Sequence, residues 1–174
     1  MKGEIKMSNH REEWFPLVDE AGNVVGKATR RECHSGSMLL HPVVHLHIFD
    51  SKGRLFLQQR SMSKDIQPGK WDTAVGGHVD YGESIEEALY REVREELGIV
   101  DFEPEHIFTY SFMSSVEREL VHSYKTVYEG EMKIDPVEIE SGRYWEIEDI
   151  IKNLGKGVFT PNFEQEFVRI KDLK

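Results

Sequence analysis

Cysteine is nearly absent from this chain. Cys33 is the only one among 174 residues, so no internal disulfide can form, which fits a reducing cytoplasm. Long hydrophobic runs are missing as well: none approaches the roughly 20 apolar residues of a membrane-spanning helix. The opening stretch MKGEIKMSNHREE has no apolar centre and does not read as a secretory signal. Basic residues are in the minority, with 22 Lys and Arg against 32 Asp and Glu and a formal net charge of −10. That balance argues against non-specific nucleic-acid binding, which needs a basic face. Repeats, low-complexity tracts and Pro/Gly/Ser linkers are also lacking. The expectation is one cytoplasmic domain over residues 11–174, with residues 1–10 as a loose tail and no membrane or nucleic-acid partner.

The composition that is present suits a globular fold, with 39% hydrophobic and 31% charged residues. Trp14–Val18 and Val24–Thr29 read as strands around the turn DEAGN. In His41–Phe49, Val44, Leu46 and Ile48 alternate with His45 and His47, the period of a strand. Arg54–Gln59 should return as its hairpin partner, and a short strand is expected near Trp71–Val75. Glu105–Met113 and Leu120–Glu129 read as longer strands and Arg143–Trp145 as a short one. Glu146–Leu154 should be a short helix. Pro161 should open a last helix, where Phe163, Phe167 and Ile170 share a face. Strands interrupted by helices predict an α/β fold, a mixed sheet with helices packed on both faces.

The most informative segment is 77–99, GHVDYGESIEEALYREVREELGI. Ser84 and Glu87 have capping-box spacing, and Gly98 suits the left-handed residue that ends a helix. At 100° per residue, Ile85, Ala88, Leu89 and Val93 share one side, with Leu97 at its edge. Glu92 and Glu96 fall inside that apolar arc, and Glu95 lies beside Glu92. Carboxylates gathered near a buried side repel one another and lose hydration. They must take up protons or hold a hard cation. An all-oxygen ligand set suits Mg²⁺ or Mn²⁺, and such ions usually also take substrate phosphates. The residues therefore point to metal-assisted chemistry on a phosphate ester or anhydride.

This segment resembles a Nudix box, G-x5-E-x7-R-E-U-x-E-E-x-G-U, where U is a bulky aliphatic. Gly77, Glu83, Arg91, Glu92, Val93, Glu95, Glu96, Gly98 and Ile99 fill every specified position. The resemblance implies an α/β/α sandwich and Mg²⁺-dependent (or Mn²⁺-dependent) pyrophosphohydrolase activity on a nucleoside diphosphate or related small molecule. It implies metal ligation by Glu92, Glu95 and Glu96 with the Gly77 carbonyl. It makes Glu95 or Glu96 the catalytic base and Arg91 with Glu83 a supporting pair. Some members take the base from a loop outside the box, and here Glu117 and Glu119 are the candidates. Arg60 and Lys64, on the loop before the box, are expected to contact the diphosphate, because Arg and Lys are its natural partners. A homodimer is a common arrangement and is kept open.

A second resemblance spans roughly residues 14–100. The order LVDEAGNVVGKATR, CHSGSMLLHPVVHLHIFDSKGRLFLQQRS and PGKW is similar to isopentenyl-diphosphate isomerases, which share the Nudix fold. His34, His41 and His78 fall where those isomerases place metal-binding histidines. Two departures stand out. Gly76 occupies the place of the isomerase cysteine, and the expected acidic pair aligns with Val121–Lys125, which holds no carboxylate. Alkene protonation needs a positioned acid. The resemblance therefore implies an isomerase-like branch that kept hydrolysis, with isomerase and non-catalytic diphosphate-binding domain as the alternatives.

Overall fold

The computed structural model describes residues 12–173, so the tail expected at residues 1–10 lies outside the described residues. The strands are β1 (Trp14–Val18), β2 (Val24–Thr29), β3 (Leu40–Phe49), β4 (Leu55–Arg60), β5 (Trp71–Thr73), β6 (Val75–His78), β7 (Glu105–Met113), β8 (Arg118–Val127) and β9 (Ile139–Trp145). The helices are α1 (Arg30–Cys33), α2 (Ile85–Leu97), α3 (Ile147–Asn153) and α4 (Pro161–Ile170). The β1–β2 hairpin stands apart from a seven-stranded sheet with the path β5-β4-β3-β8-β7. β6 joins that sheet on β3, and β9 joins it on β4. The β3–β8 pair is parallel and the other pairs are antiparallel, so the sheet is mixed.

The pleat of β3 divides the molecule into two layers. Val44, Leu46 and Ile48 point to one side, where they pack with Ala88, Leu89, Val93 and Leu97 of α2. Phe49 belongs to the opposite layer, with Ile150 of α3 and Phe163, Phe167 and Ile170 of α4. Each large side chain buried this way contributes about 1.5–3 kcal/mol. The alternation that the sequence shows in β3 is thus the two-sidedness of a sheet sandwiched between helices.

The caps follow the sequence. Ser84 accepts from the Glu87 amide at the start of α2, and Gly98 ends the helix at φ +67°. Thr160 caps α4 ahead of Pro161. Three local features differ from the sequence reading. A four-residue helix, α1, occupies the polar stretch before His34, held by a Thr29–Glu32 capping box. The glycine turn after Val75 is a separate strand, β6, because Val75–His78 pairs with β3 at Val43–Leu46. β9 begins at Ile139, four residues before Arg143, because pairing with β4 extends back to Arg60.

Candidate active site

The box helix and the loop before it are joined by one arginine. Arg91 donates from Nε to Glu83 Oε2 at 2.7 Å and from Nη2 to Glu83 Oε1 at 2.9 Å. The same Nη2 also reaches the His78 carbonyl at 3.0 Å. Nη1 bonds Glu92 Oε1 at 2.9 Å and lies 3.4 Å from Glu95 Oε2. The two-point contact fixes the guanidinium plane, so Arg91 ties the end of β6, the loop at Glu83 and two carboxylates into one unit.

The three box carboxylates differ in environment. The Glu95 side chain is 56% exposed, whereas that of Glu92 is 16% exposed. Glu96 is half-buried, and its Oε2 is sealed from solvent with no hydrogen-bond partner among the described residues. Burial, followed by the charges of Glu92 and Glu138, pushes the Glu96 carboxyl well above the usual range. Burial also raises Glu92 to about 6, with Arg91 opposing the shift. A sealed, unpartnered Glu96 oxygen beside a shielded Glu92, both resisting charge, fits a divalent cation at this place. The backbone is shaped for the same place. A Cβ on Gly77 would stand 2.2 Å from the Glu92 carboxyl carbon, so only glycine lets the strand approach that side chain. The Gly76 backbone amide is close enough to Glu96 to lower its carboxyl against the rise caused by burial.

Arg60, expected on a loop, ends β4, where it pairs with Ile139 of β9, and Lys64 lies on the loop that follows; both already have partners. Arg60 Nε donates to the Ile66 carbonyl at 3.1 Å, and Nη1 lies 3.7 Å from Asp72 Oδ2. Lys64 Nζ is ion-paired with Glu138. Asp72 and Glu138 are two of the charges that act on Glu96, which puts the basic loop in the neighbourhood of the box carboxylates.

A second cluster lies at the start of β3 and β8. One ligand-type atom from each of His34, His41, His78 and Glu117 falls within 4.8 Å of all the others. The His34 and His78 Nε2 atoms are 3.2 Å apart. Glu117 Oε2 is 2.8 Å from His34 Nε2 and 3.5 Å from His41 Nε2. The alignment is poor for hydrogen bonding, and His41 Nε2 and Glu117 Oε2 are both buried without such a bond among the described residues. His41 Nδ1 donates to the Leu39 carbonyl at 2.9 Å, which aims Nε2 into the cluster. Phe15 stacks on His78 with ring centroids 4.5 Å apart, and burial is the main cause lowering His78 to about 3. A neutral imidazole is the ligand form. Burial and the Glu117 charge raise the neighbouring Glu119 to about 8. The residues therefore fit a cation here as well.

The carboxylates that stand near these histidines are Glu117, immediately before β8, and Glu119 within it, and none comes from Val121–Lys125. Register places them: Glu119 pairs with His41 across the parallel β3–β8 ladder, while Val121 pairs with Val43. α1 was a missed element, and it is what delivers His34, which caps its C-terminus. The S/T-x-x-E spacing of Thr29 and Glu32 was its available signal.

Residues 39–163 match the NUDIX domain. The chain belongs to the Nudix family. Among Nudix relatives it is 32% identical over 144 residues to an isopentenyl-diphosphate Delta-isomerase of Serratia proteamaculans, covering 80% of this chain and 79% of that protein. It is 31% identical over 150 residues to an uncharacterized Nudix hydrolase of Yersinia pestis, covering 86% and 81%. In structure it is similar to DR0079 of Deinococcus radiodurans, with TM-score 0.78, 27% identity, and coverage of 90% of this chain and 98% of that one. A MutT protein of Methanosarcina mazei shares the fold at TM-score 0.63 and 24% identity, over 76% and 96% of the two chains. The Nudix fold and an isomerase-like branch are thereby shown. Among the described residues, no helix is long and apolar enough to cross a membrane.

Proposed function

We propose that this Nudix protein is a Mg²⁺- or Mn²⁺-dependent hydrolase of a small molecule with a diphosphate linkage, such as a nucleoside diphosphate. One observation carries the reading: the buried, unpartnered Glu96 oxygen beside Glu92, on a backbone whose Gly77 leaves room for the Glu92 carboxylate. Glu92, Glu95, Glu96 and the Gly77 carbonyl would hold the ion. Bound there, it would neutralise diphosphate oxygens and lower the pKa of a coordinated water. Arg91, clamped by Glu83, keeps Glu92 in place. Glu95, the exposed carboxylate of the three, has room beside it for the attacking water and takes its proton. Arg60 and Lys64 exchange their carboxylate partners for the phosphates of the substrate, because a doubly charged diphosphate offers more acceptor oxygens than Asp72 or Glu138.

A second reading, isopentenyl-diphosphate isomerase, is favoured by the His34–His41–His78–Glu117 cluster and the raised acid Glu119. Gly76 counts against it, because a position without a side chain supplies no proton to the other face of an alkene. One experiment separates the readings. The protein is incubated with Mg²⁺ or Mn²⁺ and a panel of nucleoside diphosphates, nucleotide sugars, dinucleotides and isopentenyl diphosphate. Release of phosphate or nucleoside monophosphate is the expected result. Formation of dimethylallyl diphosphate would establish the isomerase, and binding without turnover across the panel would leave a ligand-binding domain.

A further inference from the structure

Beneath α4, on the sheet face that carries His41 and Glu119, a second polar group is built around one carboxylate. Glu166 of α4 is buried at 1% exposure. It accepts from His45 Nδ1 at 2.7 Å, His47 Nε2 at 2.7 Å, the Tyr110 hydroxyl at 2.6 Å and the Ser123 hydroxyl. Donors from three strands converge on a helix side chain, which is more than burying one carboxylate requires. His47 and Ser123 are sealed, whereas the His45 side chain keeps 16% of its surface. With Nδ1 committed to Glu166, the other ring nitrogen is fixed in direction. Nε2 makes no hydrogen bond among the described residues and lies 3.8 Å from where a Cβ on Gly76 would be. Gly76 has no such atom, so no side chain at this position covers the Cδ2–Nε2 edge of the ring. The Gly76 backbone amide also acts on Glu96, lowering its carboxyl against the rise caused by burial. One glycine therefore separates the His45 ring from the box carboxylates.

We propose that His45 is a substrate-binding residue whose Nε2–H donates to a phosphate oxygen of the diphosphate bound at Glu92 and Glu96. Glu166 is its positioning residue, and the absent side chain of Gly76 is the port through which contact is made. The assignment rests on the hydrolase reading above and adds a recognition element to that site. A histidine with one nitrogen tied to a carboxylate presents the other along a fixed line, so little rotamer freedom is lost on binding. The charge state agrees. Burial alone would lower His45, but the Glu166 charge and hydrogen bond outweigh it and raise the ring to about 9, with Glu119 and Asp72 adding to the rise. At neutral pH the ring carries a proton on both nitrogens, the form that donates to an anion. His47, on the same strand, shares Glu166 but faces no opening, which explains why its side chain has no exposed surface.

The test uses methylenediphosphonate, a diphosphate that cannot be hydrolysed, titrated calorimetrically into the Mn²⁺-loaded full chain. Mn²⁺ affinity and thermal midpoint are measured in parallel. His45→Ala should weaken diphosphonate binding about 10- to 100-fold, the usual effect of losing one charge-assisted hydrogen bond. Because that change leaves Glu166 short of a donor and can lower stability, Gly76→Ala and Gly76→Val serve as the second route. Their side chains stand against the Cδ2 and Nε2 side of the His45 ring and leave the Nδ1–Glu166 hydrogen bond in place, so they should weaken diphosphonate binding progressively, with the parallel Mn²⁺ titration reading any change at the metal site separately. In the Mg²⁺-loaded chain, where no paramagnetic ion broadens it, the His45 Nε2 nitrogen resonance should shift on saturation with diphosphonate. Wild-type diphosphonate affinity in all three variants, or an unmoved His45 resonance, would overturn the assignment and leave the metal site standing. Failure of the wild-type chain to bind Mn²⁺ through Glu92 and Glu96 would instead remove the hydrolase reading itself.

Discussion

The Arg91 guanidinium grips the Glu83 carboxylate through two hydrogen bonds of 2.7 Å and 2.9 Å across eight residues of chain. Both side chains are largely shielded, so the pair is stronger than a surface ion pair. Glu83→Gln should lower unfolding free energy by about 1–3 kcal/mol and free Arg91 to draw Glu92 out of place. Denaturant titration measures the first effect, and loss of Mn²⁺ affinity reports the second. An unchanged midpoint with unchanged metal affinity would make this clamp ornamental.

Gly77 is the tightest point of the site. Gly77→Ala puts a methyl carbon 2.2 Å from the Glu92 carboxyl carbon, a distance no pair of atoms tolerates, so Glu92 must swing away. Hydrolysis should drop by two or more powers of ten, in the range seen when an electrostatic group is lost. The fold should survive, because the backbone of Gly77 needs no left-handed conformation. Circular dichroism and turnover, measured on the same sample, check both statements.

Glu96→Gln should reduce turnover by about two to four powers of ten. Its effect on the metal-free protein runs the other way. Glu92 rises to about 6, Glu119 to about 8 and Glu96 well above its usual value, so the folded chain binds protons more tightly than the unfolded one. A group with a raised folded pKa contributes stability below its unfolded value and loses that stability as pH rises through the folded one. The thermal midpoint in EDTA should therefore fall between about pH 4.5 and 8, and Glu96→Gln should fall less. Divalent ions should restore the wild-type midpoint at pH 8. Parallel curves for the two proteins would detach Glu96 from this behaviour.

The histidine cluster should hold its own ion. Mn²⁺ titration followed by electron paramagnetic resonance should show two classes of site in the wild-type chain. His41→Gln should lose one class and keep the other, because His41 is a histidine of this cluster alone. Glu92→Gln should do the reverse. A single class of site in the wild-type chain would rule out the second ion.

Local order gave the sequence its reach. The α2 caps, its apolar stripe and the nine box positions depend on neighbours within a few turns, so Ser84, Gly98, Glu92 and Glu96 could be placed by counting along a helix. The alternation of β3 likewise showed which of its residues share a face. Counting could not show what lay opposite. Whether Glu119 or Val121 meets His41 depends on the register of a parallel pair joined through residues 50–117, and a strand pattern carries no register. The strong alternation of His45 and His47 gave no hint of Glu166, more than a hundred residues away, because a helix face shows that it is buried but not against what. The sequence alone determined most of the elements, though not α1 or β6, together with the box and the acidity of one helical turn, since these are set by short-range geometry. Only tertiary structure decided that three histidines meet Glu117 and that a glycine stands between His45 and Glu96, because those encounters arise where distant strands pair and a helix closes over them.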